Sequence, residues 1–385
     1  MDNYYLDIAS HSINKMNEEL CGDQIQVFKE KENAIIILSD GLGSGVKANI
    51  LATLTTKIAM TMLKEEQGLE ETISTIMNTL PVCNIRKIAY STFSILTIKN
   101  YTKCNLIEYG NPNAFIKEKN VIKKIDKKKR IYSDKKVKYS SFTLNEDTVV
   151  TLTSDGVIHA GVGKELNHGW EWKHVAKFLK KQKIKSAEIY NKNLIQMCNY
   201  LYQGSAGDDT SAVSVHLTKK REVNIFIGPP KDNELDKEYA NVLQTKKGLK
   251  IVCGGTTAQI ISRELNKKLI TSFDYINEKV PPIAKMDGID LVTEGFLTLK
   301  ESYKKLKLYN EKDKDIFLDK KDGATLLLNK LIDKGNILNF YIGKAINPIY
   351  QKTDIPFELS VKYNIVKKII SELKKLDKEI NIKYF

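Results

Sequence analysis

Four short acidic motifs are spaced through the first 210 residues: Cys21-Gly22-Asp23, Ser39-Asp40-Gly41-Leu42-Gly43-Ser44-Gly45, Thr153-Ser154-Asp155-Gly156-Val157 and Gly207-Asp208-Asp209-Thr210-Ser211. Each sets an aspartate beside a glycine or a second aspartate. Carboxylates gathered from separate parts of a chain are how proteins bind hard divalent cations. A cation held that way can activate water for attack on phosphorus. Taken one at a time the motifs are weak, because Asp-Gly is an ordinary turn. Asp40 is the strongest, since glycines at 41, 43 and 45 would let backbone approach a metal or phosphate closely. That stretch is neither GxGxxG nor a GK[ST] phosphate loop. Asp208 and Asp209 are adjacent acids, which repel unless a cation or solvent compensates them.

The elements that must position these residues can be read from periodicity. Ala34 to Leu38 is an unbroken apolar run of strand length, and Thr148 to Leu152 and Ala212 to Leu217 read as strands. Three of the four motifs therefore adjoin a strand end. Val46 to Leu63 has helical spacing, and Leu69 to Leu80 reads as a second helix stopped by Pro81. A helix starting near Gly45 would aim its N-terminus at the Asp40 loop, which favours anions. Tyr90 to Ile98, Asn105 to Tyr109, Ala114 to Lys117 and Val137 to Leu144 read as strands joined by polar turns. Trp170 to Lys181 and Ser186 to Tyr202 read as helices. Helices, then strands, then helices before a last strand imply an α+β layered domain over 1–218.

The bulk numbers narrow the class. The chain has 385 residues, 42% hydrophobic and 28% charged, with a net charge of +14, as expected of a globular protein with two or three domains. No apolar run is long enough to span a bilayer, and the N-terminus lacks a signal-peptide pattern. Five scattered cysteines without a CxxC pair argue against a disulfide or zinc scaffold and for a reduced, cytoplasmic setting. The charge divides evenly about Lys220, so neither half is a dedicated nucleic-acid domain. It is concentrated in 117–138, with 11 basic and 3 acidic residues. That run reads as a solvated hairpin or as a docking patch for an acidic protein. Tyr132 alone supplies an aromatic face there, so nucleic acid is not expected.

In this order the motifs resemble those of the metal-dependent serine/threonine protein phosphatases of the PP2C superfamily, in the bacterial branch typified by SpoIIE and RsbU. The matching residues are Gly22-Asp23, Asp40 to Gly45 with Ala48, Thr92 to Leu96, Tyr109-Gly110-Asn111-Pro112, Ser154 to Val157 and Asp208 to Ser211. The resemblance implies an α-β-β-α sandwich with two Mn²⁺ or Mg²⁺ ions at one edge. It implies that Asp40 bridges both ions, that the Gly41 carbonyl completes one shell, and that Asp155 and Asp208 hold the other. Asp209 is the less defined member of its pair, and Asp23 would orient the attacking water. The substrate implied is a phosphorylated protein, by family analogy a small anti-anti-sigma-like one. His159 could protonate the leaving group, although a histidine on a turn or helix end is more often structural. No arginine for phosphate stands near Asp23, as is common in this branch.

A charged run at 218–222 marks the boundary, and 222–385 reads as a smaller α/β domain of regulatory or ligand-sensing role. Val223 to Ile227 and Leu249 to Cys253 read as strands, and Glu234 to Gln244 and Ala258 to Leu265 as helices. Between them, Gly254-Gly255-Thr256-Thr257 could hold a ligand or anion with backbone N–H groups and hydroxyls, or could be a tight connection with a threonine cap. Cys253 reads as a small buried residue at a strand end. Asp287-Gly288 and Asp322-Gly323 read as turns, Ala324 to Ile332 and Ile365 to Leu376 as helices, and Leu338 to Ile342 as a strand. Two rival readings of the whole remain: a catalytically silent module of the same fold acting by partner binding, and a metal hydrolase of nucleotides or small phosphoesters.

Overall fold

The computed structural model describes residues 3–79, 91–132, 135–271, 280–311, 321–345 and 357–385. The chain forms two compact units, Met1–Lys219 and Lys220–Phe385.

The first unit runs β1 (Tyr4–Ile13), β2 (Asp23–Glu30), β3 (Asn33–Gly41), α1 (Gly45–Lys64), α2 (Leu69–Thr79), β4 (Ser91–Lys99), β5 (Lys103–Tyr109), β6 (Phe115–Glu118), β7 (Val121–Lys123), β8 (Lys128–Tyr132), β9 (Lys135–Thr143), β10 (Thr148–Thr153), α3 (Asp155–Ile158), α4 (Glu171–Lys181), α5 (Ala187–Leu201) and β11 (Thr210–Lys219). Two antiparallel sheets result, one in the order β1-β11-β10-β6-β7 and one in the order β2-β3-β4-β5-β9-β8.

Side-chain alternation explains the unbroken apolar runs. Successive strand residues point to opposite faces. Ala34, Ile36 and Leu38 of β3 join Leu6, Ile8, Val150, Val213 and Leu217 in a core between the sheets. Their neighbours Ile35 and Ile37 pack on the other face with Ala59, Met60, Ile73 and Ile76 of α1 and α2. The five-stranded sheet is covered in the same way by α4 and α5, through Val149, Phe115, Val175, Leu179, Tyr190 and Leu194. Strands buried on both faces have no polar side to show, so the run reads as continuous. The layers are α-β-β-α.

The basic run at 117–138 is not uniformly solvated. Lys117 is 2% exposed, and its ammonium donates to the carbonyls of Leu179 (3.0 Å) and Gln182 at the end of α4. Lys127 pairs with Glu108 and Arg130 with Glu70. Lys123 on β7 and Lys128 and Lys129 on β8 lie on the edge strands of the two sheets, where lysines discourage edge-to-edge pairing.

The second unit runs β12 (Glu222–Ile227), α6 (Asp236–Thr245), β13 (Leu249–Cys253), α7 (Gly255–Glu264), β14 (Leu269–Thr271), β15 (Ala284–Met286), β16 (Ile289–Thr293), α8 (Phe296–Glu311), α9 (Gly323–Asn329), β17 (Ile337–Ile342), α10 (Phe357–Lys374) and β18 (Glu379–Tyr384). Its sheet has the order β14-β15-β16-β13-β12-β17-β18. β16, β13, β12, β17 and β18 are parallel, and β14 and β15 extend the edge antiparallel. α6 and α7 cover one face through Tyr239, Leu243, Ala258 and Ile261. α8, α9 and α10 cover the other through Leu299, Leu306, Leu327, Val366 and Ile369. This is an α/β domain.

Three local readings change. The helix expected from Ala258 begins at Gly255, so Gly254, not a threonine, occupies its N-cap. Asp322 is that helix's counterpart at α9: it accepts from the Ala324 and Thr325 N–H groups and is a cap more than a turn residue. The helix expected from Ile365 starts at Phe357. Pro81 and Cys83 fall outside the described residues. Among the described residues no helix is long and apolar enough to cross a membrane, and Cys21, Cys104, Cys198 and Cys253 are free thiols.

Candidate metal centre

In an antiparallel pair the end of one strand lies beside the start of the next. Asp23 at the start of β2 pairs with Asp40 at the end of β3. Asp155 follows the end of β10, and Asp208 and Asp209 precede β11, which pairs with β10. Both sheets thus bring their acidic ends to one edge. Contact between the ends is close, because a Cβ placed on Gly22 would lie 2.8 Å from the Asp209 Oδ2 and 2.9 Å from the Ala48 Cβ.

The glycines have specific jobs. A Cβ on Gly41 would overlap the carbonyl of Ala48 in α1, and one on Gly156 would overlap the carbonyl of Asp209. Only glycine lets the Asp40 loop lie on α1 and the Asp155 turn lie on the β11 entry. Ser154 and Ser211 lock that second junction: Ser154 N–H donates to the Ser211 carbonyl (3.0 Å), and Ser211 N–H donates to Ser154 Oγ (2.9 Å). On the other sheet Ser91 Oγ donates to the Asp40 carbonyl (3.0 Å). Thr92, paired with Asp40, donates to Asn111 Oδ1.

Electrostatics marks the edge as anion-crowded. Burial pushes the Asp40 carboxyl up to about 9, with the charges of Asp23, Asp155 and Asp208 adding to the rise. Burial lifts Asp23 to about 7; the nearby Ser154 and Ser211 hydroxyls oppose the rise, and Asp209 and Asp155 add to it. Asp208 is raised by burial and by Asp155, against a hydrogen bond from the Asp209 N–H. The Cys21 thiol is held up to about 12 by burial and by Asp23 and Asp209, which makes it a poor nucleophile.

Partnering separates the acids. Asp23 is 4% exposed and neither of its carboxylate oxygens reaches a hydrogen-bonding partner. Asp209 is equally buried; its Oδ1 accepts from the Lys15 N–H (3.0 Å), and its Oδ2 has no partner. Asp208 is half-buried and its Oδ1 accepts from the Asp209 N–H (3.0 Å). Buried carboxylate oxygens without donors are costly, and a hard cation is the ligand this oxygen-only set suits. Among the described residues, no three or more histidine, cysteine or acidic side chains are drawn together tightly enough to hold an ion as they stand. The donor chemistry nevertheless fits divalent metal at this edge.

Two neighbours carried no sequence signal. Glu18 accepts a hydrogen bond from Ser44 Oγ (2.8 Å), and its Oε2 would collide with a Cβ on Gly45. The chain's own carboxylate therefore stands where α1 begins, the place expected for an external anion. Lys15 acts through its backbone N–H on Asp209 and through its charge on Asp208. Both lie in a loop whose position only folding sets. His159 is exposed at the end of α3.

The four layers and the carboxylate edge define a PP2C-type phosphatase fold. Residues 30–218 match the family described as Stage II sporulation protein E (SpoIIE). This part of the chain is similar to the bacterial SpoIIE/RsbU-like branch of the PP2C superfamily. A solved structure of the PP2C phosphatase domain with a fragment of the regulatory domain of SpoIIE from Bacillus subtilis is 20% identical, with a TM-score of 0.50, covering 57% of this chain and 64% of that one. The SpoIIE phosphatase domain from Bacillus subtilis in a form without domain swapping is 19% identical, with a TM-score of 0.45, covering 57% and 95%. RsbX in complex with magnesium is 18% identical, with a TM-score of 0.41, covering 55% and 96%. No curated protein sequence matches.

Proposed function

We propose that the first unit is a phosphoserine/phosphothreonine protein phosphatase that uses two divalent ions, Mg²⁺ or Mn²⁺, in a bacterial regulatory pathway. The observation that carries this reading is the gathering of Asp23, Asp40, Asp155, Asp208 and Asp209 at one sheet edge, with three buried carboxylate oxygens lacking donors. Asp40, the Gly41 carbonyl, Asp155 and Asp208 would hold the ions, with Asp209 beside Asp208. Two ions bound there would lower the pKa of a water and offset charge on the phosphoryl oxygens. The chain's own contribution is placement. Asp40 and Asp23 sit opposite each other on rigid strands, and Gly41 and Gly156 let their turns close without displacing either sheet. Asp23 would orient the attacking water. A phosphorylated regulatory protein of the anti-anti-sigma type is the substrate class proposed. The second unit is proposed to regulate the first.

Hydrolysis of p-nitrophenyl phosphate and of a phosphoserine peptide, with Mg²⁺, Mn²⁺ or EDTA, tests the proposal on wild type and Asp40→Ala. Metal-dependent turnover that falls by about 10²-fold to 10³-fold or more in the variant is expected. A second reading is a catalytically silent module of the same fold that acts by partner binding. A folded wild type that binds metal yet turns over neither substrate would favour that second reading.

A further inference from the structure

At the carboxyl edge of the second unit's parallel sheet, three glycines from neighbouring strands surround one lysine. Gly228 follows β12, Gly254 follows β13, and Gly295 lies just after β16. Cβ atoms placed on Gly228, Gly254 and Gly295 would lie 3.8, 3.8 and 3.4 Å from the Lys362 Nζ of α10. Lys362 is half-buried, and among the described residues its ammonium has no hydrogen-bonding or ion-pair partner. Burial lowers its pKa; Cys253 and Glu294, the titratable groups that face it, work against that. Glu294 is otherwise engaged, accepting from the N–H groups of Phe296 (3.0 Å), Leu297 (2.9 Å) and Thr298 (3.3 Å) at the start of α8.

The same point is where α7 begins. Its N-cap is Gly254, at φ 125°, and no side chain caps the helix. Ala258 N–H bonds to the Gly254 carbonyl, which leaves the N–H groups of Gly255, Thr256 and Thr257 directed out of the first turn. An independent feature points into this spot. Thr257 is 1% exposed, its Oγ1 has no hydrogen-bonding partner, and it lies 3.2 Å from where a Gly254 Cβ would be. A buried unpaired hydroxyl, a helix N-terminus and an unpaired ammonium therefore meet where side chains are missing. The parallel strands run β16-β13-β12-β17-β18, so chain order reverses at β12. Open α/β sheets bind ligands outside their carboxyl ends at such a reversal.

We propose that Gly254, Gly255, Thr257 and Lys362 form a binding site for the phosphate group of a small molecule. The first-turn N–H groups and the Thr257 hydroxyl would donate to the phosphate oxygens, and Lys362 would supply the counter-charge. The site is distinct from the carboxylate edge of the first unit and does not depend on the activity proposed for it.

The test uses the full-length protein in EDTA, so that no metal at the carboxylate edge binds the probe. Inorganic phosphate and AMP are titrated by calorimetry, with amide shifts of Gly255 to Thr257 followed by NMR, on wild type, Thr257→Val and Lys362→Met. Saturable binding is expected, with those amides shifting and the affinity falling by about tenfold in each variant. Both substitutions keep side-chain volume, and unchanged circular dichroism identifies the variants that fold. Tighter binding of AMP would mark an esterified phosphate as the natural group; tighter inorganic phosphate would mark the free ion. Absence of saturable binding to wild type overturns the site, and so does binding that a folded variant leaves unchanged.

Discussion

At the residue scale, the carboxylate edge trades stability for chemistry. Asp40 is pushed up to about 9 and Asp23 to about 7, above ordinary carboxylates. The folded protein then holds protons that the unfolded chain has released, so stability is greatest below the unfolded values and declines as pH rises through the folded ones. Metal-free protein should therefore melt at a lower temperature at pH 9 than at pH 5. Asp40→Asn should raise the metal-free melting temperature at pH 8 while removing metal-dependent turnover. Differential scanning calorimetry in EDTA measures this, and a melting temperature independent of pH would contradict the assignment. The glycines carry the opposite sensitivity. Gly156→Ala forces a methyl into the Asp209 carbonyl, and should cost about 1–3 kcal/mol and displace Asp155 from Asp208. Urea unfolding alongside the hydrolysis assay would show it; full activity at unchanged stability would mean the turn relaxes freely.

At the element scale, a buried lysine ties helix to sheet. Lys117, on β6, donates to Leu179 and Gln182 carbonyls at the end of α4, which are orphan acceptors of a helix terminus. Lys117→Ala removes that donor and strands the carbonyls. The expected loss is about 1–3 kcal/mol, read as a lower urea midpoint. Activity of the folded fraction should persist, because α4 packs on the outer face of the sheet. A variant as stable as wild type would show that water replaces the ammonium there.

At the whole-molecule scale, each unit buries its own core. The clusters built by β1 to β11 and by β12 to β18 share no residue. A chain ending at Lys219 should therefore fold and retain hydrolysis of p-nitrophenyl phosphate within about threefold of the full chain's kcat. Loss of folding on truncation would show that the first unit leans on the second. A change in rate with intact folding would instead support regulation by the second unit.

Much of the fold was legible because its signals are local. The continuous run Ala34 to Leu38, the helical spacing of Val46 to Leu63 and the strand Leu249 to Cys253 each follow from period alone. β1 was not read from sequence, since Tyr4 to Ile13 mixes Asp7, Ser10, His11 and Ser12 among its apolar residues. Pairing with β11 across ten positions gives it a place that propensity does not. The start of α7 at Gly255 was also missed, because glycine and threonine are weak helix formers and packing against the sheet overrides them. The acidic motifs themselves were visible as strand-end residues, and chemistry limited what such residues could do. Tertiary structure decided their partnering: that Asp23 stands opposite Asp40, that Asp209 is sealed against Gly22 while Asp208 is half-exposed, and that Glu18 arrives at the start of α1. It also decided that Lys362, more than 100 residues from Gly254, is set among three glycines. Local sequence dictates period, turn and donor type; distance between remote residues arises only when sheets pair and layers pack.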